Sequence, residues 1–237
     1  MSQAAFVPPV CEKQIEILYE DEHLLVINKP SGLFSLSGKN PQGKDSVYER
    51  ILQDYPQAKM LHRLDFGTSG LMLIALSKSA SARLTKQFEV RAIEKRYTAI
   101  LYGRIKEDEG VIDAAIARDE FPYQKICSET GKPSQSYYQV LQRDHDSVTG
   151  IKTTKVLFMP KTGRTHQLRI HSQFIGHPII GCDLYNGVID GVDTQNLSER
   201  LCLHASGLRF IHPKHCEVMT FDSPCQFKLA KKRKYPS

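Results

Sequence analysis

No segment of this sequence has the features of a secreted or membrane-spanning protein. The N-terminus lacks a basic stretch followed by an apolar run, so no signal peptide is predicted. The longest uncharged apolar stretch, GLMLIALS, is far shorter than the ~20 residues that cross a bilayer as a helix. Hydrophobic residues make up 41% and charged residues 24% of the 237 positions, which is ordinary for a globular protein. We therefore expect a cytoplasmic protein with a substantial core and no membrane contact.

A Cys-x-x-Cys pair is also missing, although the chain has six cysteines. An even number would suit disulfides in a secreted protein, but without a signal peptide we expect reduced thiols. The densest group of potential metal ligands is Cys202, His204, His212, His215 and Cys216. That group lacks the paired spacing of a structural zinc site, so no metal is expected.

No fixed-period repeat or low-complexity linker divides the chain. Strand patterns, among them 15–19, 24–28 and 71–76, outnumber helix patterns and follow one another closely, which favours antiparallel pairing. Helices are predicted from Ser46, over 79–90, and from Thr165 to a stop at Gly176. We predict a single α+β domain on a mixed, mainly antiparallel sheet with flanking helices. It would cover residues 15–227, between an N-terminal extension (1–14) and a basic tail (228–237).

Two familiar catalytic motifs are present only in incomplete form. The segment GKNPQGKD has the spacing of a phosphate loop, but Asp45 stands where Ser or Thr would bind magnesium. The segment GTSGL is not a nucleophile elbow, because Leu71 stands where the second glycine is needed. A hydrolase centred on Ser69 stays open as an alternative.

Carboxylates are absent between Asp146 and Asp183. We call residues 147–182 the acid-free segment; its basic side chains are Lys152, Lys155, Lys161, Arg164 and Arg169. The net charge of +6 comes mostly from the basic tail, which is typical of a solvated chain end. The acid-free segment is therefore the better prediction for a surface that binds polyphosphate.

The segment HRLDFGTSGL, residues 62–71, combines charges and glycines directly before an apolar strand. An isolated Arg-x-Asp is usually surface decoration. Here, however, the segment resembles the Arg-Leu-Asp-x-x-Thr-Ser-Gly signature of the RluA-type pseudouridine synthases. Four further motifs resemble that family in the same order: VINKPSGL, KRYTAILYG, TGRTHQLRIHSQFIGHPIIGCDLY and LHASGLRFIHP. The resemblance extends from about Ile15 to Phe221.

The resemblance implies a pseudouridine-synthase fold and the isomerisation of uridine to pseudouridine in RNA. That reaction breaks the N1–C1′ bond and joins C5 to C1′; nothing is oxidised and no group is imported, so no cofactor is expected. By resemblance Asp65 is the reactive carboxylate, Arg169 is the cation that pairs with it, and Tyr97 stacks on the target base.

A stacked uridine must be flipped out before a buried carboxylate can reach it. Arg63, two residues from Asp65, is the candidate to fill the gap that the base leaves. Gly67 and Gly70 let the backbone approach the nucleotide. The remaining candidate substrate-binding residues are His62, Thr68, Ser69, Gly70, Arg164, His166 and Leu203.

The substrate is expected to be 23S rRNA, tRNA anticodon stem-loops, or both, as in the short members of the family. Most relatives carry an N-terminal S4-type RNA-binding domain, and only about fourteen residues precede Ile15, so no such domain is expected here. We expect a monomer. The alternatives are the same chemistry on a different RNA and a non-catalytic RNA-binding module.

Overall fold

The chain forms strands and short helices that group into two compact units. The computed structural model describes residues 10–37, 45–145, 150–185, 187–189, 191–227 and 229. The first unit comprises residues 1–93 and 207–223, and the second comprises residues 94–206 and 224–237. Residues 38–44 of the phosphate-loop-like segment, and all but one residue of the predicted basic tail, lie outside the described residues.

In chain order, the elements of the first unit are β1 (Glu16–Glu20), β2 (Leu24–Lys29), α1 (Val47–Asp54), β3 (Lys59–Met60), β4 (Ser69–Ala75), α2 (Lys78–Glu89), the end of β13 (Leu203–Ile211) and β14 (Val218–Asp222). The unit is built on β4, in which every residue is buried. Antiparallel pairing joins β1 to β2, β2 to β4, β3 to β4 and β13 to β14. Helix α2 packs against β4 and buries Leu84 there, in a cluster with Leu73 and Phe210.

The elements of the second unit are β5 (Glu94–Tyr102), β6 (Glu109–Asp113), β7 (Ile116–Arg118), β8 (Gln124–Ile126), β9 (Gln135–His145), β10 (Lys152–Pro160), α3 (Gln167–Phe174), β11 (Val188–Ile189), β12 (Val192–Asp193), a 3₁₀ turn (Gln195–Leu197) and the start of β13. Four of its strands form an antiparallel arrangement in the order β5-β10-β9-β6, and two small hairpins are formed by β7 with β8 and by β11 with β12. Leu168 and Ile170 of helix α3 belong to the same buried cluster as Val156 and Phe158 of β10. The predicted α+β class with a mainly antiparallel sheet is confirmed.

Helix α1 begins where the capping pattern predicts, because Ser46 Oγ accepts a hydrogen bond from the Glu49 N–H at 3.2 Å. Helix α3, by contrast, begins at Gln167 and not near Thr165, so the predicted start is wrong by two residues. His166 precedes it in the left-handed conformation (φ +55°), which no helical residue adopts. The predicted stop is correct: Gly176 has φ +79°, and its N–H donates to the Gln173 carbonyl at 2.9 Å.

All six cysteines are free thiols. His212, from the predicted cluster of potential metal ligands, donates from Nε2 to Asp21 at 2.8 Å, while its Nδ1 accepts backbone N–H groups. Within the described ranges, no group of three or more His, Cys, Asp or Glu side chains is placed to hold a metal ion. Nor does that part of the chain contain a helix long and apolar enough to cross a bilayer.

Candidate active-site residues

The Asp65 loop, residues 62–68, lies between β3 and β4 in the first unit. Asp65 is partly buried, and its carbonyl accepts the Thr68 N–H at 3.1 Å, which closes a tight turn. Arg63 is exposed. The loop therefore carries two opposite charges in different surroundings: the Asp65 carboxylate is partly shielded from water, whereas the Arg63 guanidinium is exposed to water.

His62 anchors the start of this loop to the sheet. Its Nε2 accepts the Leu73 N–H of β4 at 3.0 Å, and its ring lies 5.1 Å from the ring of Phe88 in α2. Because Nε2 is an acceptor, the neutral ring carries its proton on Nδ1. The structure thus gives His62, a predicted substrate-binding residue, a bond that holds the loop in place.

The loop enters β4 through three residues that were predicted to bind substrate. Thr68 and Ser69 are buried, and Gly70 has φ +112°, a conformation that L side chains rarely adopt. Thr68 is 2% exposed, and its Oγ1 has no hydrogen-bond partner within the described ranges. A buried hydroxyl without a partner is uncommon and marks Thr68 as a candidate for a ligand contact.

Tyr97 lies on β5 in the second unit, directly opposite Phe158 of β10. Side chains two apart on a strand share a face, so Tyr97 lies on the same face as the buried Ala99. Its ring is partly buried against the core of this unit. One side of the ring is thus supported by apolar packing, as a base-stacking platform requires.

Arg169, on α3, is 4% exposed, and three groups of the second unit surround its guanidinium. It forms an ion pair with the exposed carboxylate of Asp183, lies 3.3 Å from Cys182 Sγ at Nε, and stands 5.4 Å from the ring centroid of Tyr185. A buried cation of this kind must be paired, so Asp183 is one source of its stability.

Tyr185 links Arg169 to the residue before α3. Its hydroxyl lies 2.9 Å from His166 Nδ1 and accepts the Gln124 N–H of β8 at 2.8 Å. His166 is therefore held in its left-handed conformation by a side-chain contact. The Arg164 guanidinium donates two hydrogen bonds to the Pro133 carbonyl, from Nε at 3.3 Å and from Nη2 at 3.2 Å. Leu203 is buried in the core.

Comparison with known proteins decides what these residues belong to. A family model described as RNA pseudouridylate synthase matches residues 23–174. This chain belongs to the RNA pseudouridylate synthase family. It is therefore an RNA pseudouridine synthase, an isomerase, and the family assignment decides against the hydrolase alternative.

Individual relatives agree with the family. The chain is 43% identical to a dual-specificity RNA pseudouridine synthase RluA of Vibrio vulnificus, over 96% of this chain and 89% of the relative. It is 42% identical to the protein of the same name in Escherichia coli K12, over 96% of this chain and all of the relative. The solved structure of human RNA pseudouridylate synthase domain containing 1 covers 92% of the chain and is itself covered to 86%, at a TM-score of 0.74 and 31% identity.

Motif reading alone missed several contacts in this synthase. Gln167 is buried, and its side chain makes four hydrogen bonds: Oε1 accepts from Thr162 Oγ1 and the Arg164 N–H, and Nε2 donates to the Gln135 carbonyl and Ser136 Oγ. These bonds fix the loop before α3 to strand β9. The pairing of Asp183 with Arg169 was missed too, although Asp183 is the first carboxylate after the acid-free segment.

Lys95 is another residue that the motifs passed over. It lies two positions before Tyr97, on the same face of β5, and its Nζ stands 3.6 Å from where a Cβ at Gly163 would be. Burial lowers the pKa of the Lys95 ammonium. The chain therefore places a partly desolvated cation beside the loop that precedes α3.

The acid-free segment of this synthase does not lie in acid-free surroundings. Strand β10 carries Lys152 and Lys155, but its neighbour β9 carries Asp144, opposite Thr153. Farther on, Arg143 of β9 forms an ion pair with Asp108 at 2.7 Å. The cations at the other end of the segment, such as the exposed Lys161, are therefore the better candidates for phosphate contacts.

Proposed function

We propose that this synthase isomerises uridines in both 23S rRNA and tRNA anticodon stem-loops. The relatives at 42% and 43% identity are named dual-specificity enzymes, and each is matched over 96% of this chain. Near-complete coverage at this identity supports transfer of substrate class as well as chemistry. With such substrates the enzyme would act in the cytoplasm, and we expect it to act as a monomer.

Asp65 is the reactive carboxylate in this proposal. The reaction is a rearrangement within one nucleotide: the N1–C1′ bond breaks, the C5–C1′ bond forms, and the proton lost from C5 is balanced by one gained at N1. A carboxylate can assist as a nucleophile or as a base at the ribose. Because no electrons or groups are exchanged with the surroundings, the proposal includes no cofactor.

The other roles follow the family resemblance. Tyr97 stacks on the target uracil and helps to move the C5 proton, and Arg169 is the cation that the resemblance pairs with the reactive carboxylate. Arg63 occupies the space that the flipped base leaves, because a planar guanidinium can both stack and donate hydrogen bonds. Thr68, Ser69, Gly70, Arg164 and His166 hold the nucleotide.

One observation carries this proposal most directly: a single short loop presents a partly buried Asp65 and an exposed Arg63, only two residues apart. The exposure of Arg63 fits a residue that inserts into RNA after the base has left the stack.

Dual specificity is tested with purified enzyme and two minimal RNAs, a tRNA anticodon stem-loop and a 23S rRNA stem-loop. Pseudouridine is mapped at single-nucleotide resolution in both and in RNA from a deletion strain. We expect one uridine in each RNA to be converted, and both to remain unmodified in the deletion strain. Conversion of only one RNA class, or of a third class only, would contradict dual specificity while leaving the chemistry intact.

A further inference from the structure

The cation of the candidate site, Arg169, is held by a single turn of the chain. We call residues 182–185 the Arg169 turn. Its first residue, Cys182, is fully buried, and the sulfur accepts hydrogen bonds from Arg169 Nε at 3.3 Å and from the Tyr185 N–H at 3.4 Å. Its second residue, Asp183, forms the ion pair with the Arg169 guanidinium. The turn thus binds the edge of the guanidinium and closes on itself through the same sulfur.

The last residue of the turn, Tyr185, lies against the face of that guanidinium. Arg169 Cζ stands 5.4 Å from the centroid of the Tyr185 ring, and Tyr185 is 4% exposed. A cation this close to a ring face is attracted by the quadrupole of the ring, most strongly where water is excluded. Because a guanidinium is planar, contacts on one edge and on one face fix both its plane and its direction.

The hydroxyl of Tyr185 makes contacts of its own, at the other end of the side chain. It accepts the Gln124 N–H of β8 at 2.8 Å and lies 2.9 Å from His166 Nδ1. His166 is the left-handed residue directly before α3, and Arg169 lies in the first turn of that helix. One buried side chain therefore contacts two predicted site residues, Arg169 through the face of its ring and His166 through its hydroxyl.

Stability alone does not explain a tyrosine packed on a buried cation. Removing a charge from water is costly, and well-packed apolar residues often replace buried charges with no loss of stability. A leucine in place of Tyr185 would fill space beside Arg169, but it offers neither a ring face to the guanidinium nor a hydroxyl to His166. The tyrosine adds direction, because it fixes where the positive charge of Arg169 points.

We infer that Tyr185 is a positioning residue with two separable tasks: its ring orients the Arg169 guanidinium for the chemical step, and its hydroxyl holds His166 for binding of the nucleotide. The inference rests on the proposed function, in which Arg169 pairs with the reactive carboxylate and His166 holds the nucleotide. Displacing a charged group by about 1 Å can cost about a hundredfold in rate. Losing one hydrogen bond to a binding residue weakens affinity only several-fold and leaves the chemical step unchanged.

The test compares Tyr185→Phe, which keeps the ring, with Tyr185→Leu, which removes both ring and hydroxyl, on a stem-loop substrate. Tyr102→Phe and Tyr102→Leu are the matched controls. Tyr102 is a partly buried tyrosine of the same unit, and its hydroxyl donates to the Ile189 carbonyl at 3.4 Å, outside the Arg169 turn. Each variant is assayed at a temperature at which its circular dichroism shows it folded. Single-turnover rates at saturating RNA give the rate of the chemical step, and their concentration dependence gives the apparent Kd.

We expect Tyr185→Phe to raise the apparent Kd about fivefold and to change the chemical rate by less than about twofold. Tyr185→Leu should raise the Kd to the same extent and also lower the chemical rate by about a hundredfold. Both Tyr102 variants should match the wild type in rate and Kd, even where their melting temperatures fall as far. A wild-type rate and Kd in both Tyr185 variants, or losses that follow stability equally in all four variants, overturn the inference. If Tyr185→Leu does not fold, an unchanged Kd in Tyr185→Phe overturns it.

Arg169→Lys in the same assay shows whether the Tyr185 ring acts through Arg169. Lysine keeps the positive charge but has no plane for the ring to orient. Adding Tyr185→Leu should therefore lower the chemical rate of Arg169→Lys by less than about threefold. A further loss of about a hundredfold in the double variant means that the ring acts elsewhere, and it overturns the inference.

Arg169→Met separates this inference from the proposed function. An inactive Arg169→Met together with a wild-type rate in Tyr185→Leu overturns the task of the Tyr185 ring alone. A fully active Arg169→Met overturns the assignment of Arg169, and the task of the Tyr185 ring with it.

Discussion

At the scale of single residues, the buried hydroxyl of Thr68 is the feature that packing alone does not explain. Its Oγ1 is buried and has no hydrogen-bond partner within the described ranges, three residues after Asp65. Leaving a hydroxyl unsatisfied costs roughly 1–3 kcal/mol, so a fold selected for stability alone would favour valine. A hydrogen bond from the Thr68 hydroxyl to bound RNA would account for keeping threonine at this position.

Thr68→Val should therefore separate stability from activity. We expect its free energy of unfolding to rise by about 1 kcal/mol in denaturant titrations, because the orphaned hydroxyl is gone. Its rate on a stem-loop should nevertheless fall by about tenfold, as expected for one lost hydrogen bond to substrate. Thr98→Val is the matched control, since Thr98 Oγ1 donates to Ser206 at 2.9 Å and its loss should lower stability. A Thr68→Val enzyme that is less stable and fully active would refute this role.

At the scale of elements, α3 is docked by a histidine in a fixed neutral form. His171 is fully buried; its Nε2 donates to the Ala114 carbonyl at 2.9 Å, and its Nδ1 lies 3.0 Å from Ser136 Oγ. Burial lowers the pKa of His171 from its ordinary value. The folded state therefore takes up a proton at this residue less readily than the unfolded state does.

Stability should consequently depend on pH through His171. A lowered pKa in the folded state gives a contribution that is complete above the unfolded value of about 6.5 and is lost as pH falls below it. We expect the free energy of unfolding to fall between pH 6.5 and 5 with a slope of up to about 1.4 kcal/mol per pH unit from this residue. His171→Gln should be less stable at pH 8 and lack this part of the slope. His145→Gln, at an exposed site, should retain it; equal slopes in all three proteins would contradict the assignment.

The same element shows where sequence reasoning succeeds and where it stops. Gly176 ends α3 as predicted, because a left-handed stop is a local requirement. The predicted start near Thr165 was two residues too early, since the side chain of Gln167 is held by β9 through hydrogen bonds to Gln135 and Ser136, 32 and 31 positions away. Capping rules cannot see such contacts.

The candidate active-site residues divide in the same way. Asp65, Tyr97 and Arg169 are predicted from short motifs that resemble the family, and their roles stay predictions. The ion pair of Arg169 with Asp183 and the bonds of Lys29 to the Asp65 loop depend on tertiary packing. The charge pattern along the sequence was the poorest guide to the charge around a residue in the fold. The acid-free segment includes β10, whose neighbour β9 carries the carboxylate of Asp144.

At the scale of the whole molecule, charge should govern RNA affinity but not the choice of uridine. If exposed cations follow the phosphate backbone, log Kd should vary linearly with log salt, each neutralised phosphate contributing a slope of about 0.7–0.9. We expect Lys161→Ala to lower that slope by about one contact and to leave the modified position unchanged. Lys106→Ala is the control, because that exposed lysine is followed by Glu107, Asp108 and Glu109. Binding that is insensitive to salt would contradict this account of RNA affinity.

Arg63→Ala should behave differently in the same titration. Its proposed task is to support the flipped state, so the conversion rate should fall while the salt slope stays within error of the wild type. If Arg63→Ala lowers the salt slope by one contact and keeps the wild-type rate, Arg63 only binds a phosphate of the RNA backbone, and its proposed role in base flipping is wrong.

The central claim is that Asp65 reacts while other residues bind, and it is tested by single-turnover kinetics of Asp65→Asn on a tRNA stem-loop, with Kd measured on the same RNA. Asp54→Asn, at an exposed carboxylate of α1, is the matched control. We predict that Asp65→Asn forms no pseudouridine while its Kd stays within about tenfold of the wild type, because phosphate contacts carry the affinity, and that Asp54→Asn matches the wild type in both. Conversion by Asp65→Asn at a rate close to that of the wild type would contradict the account.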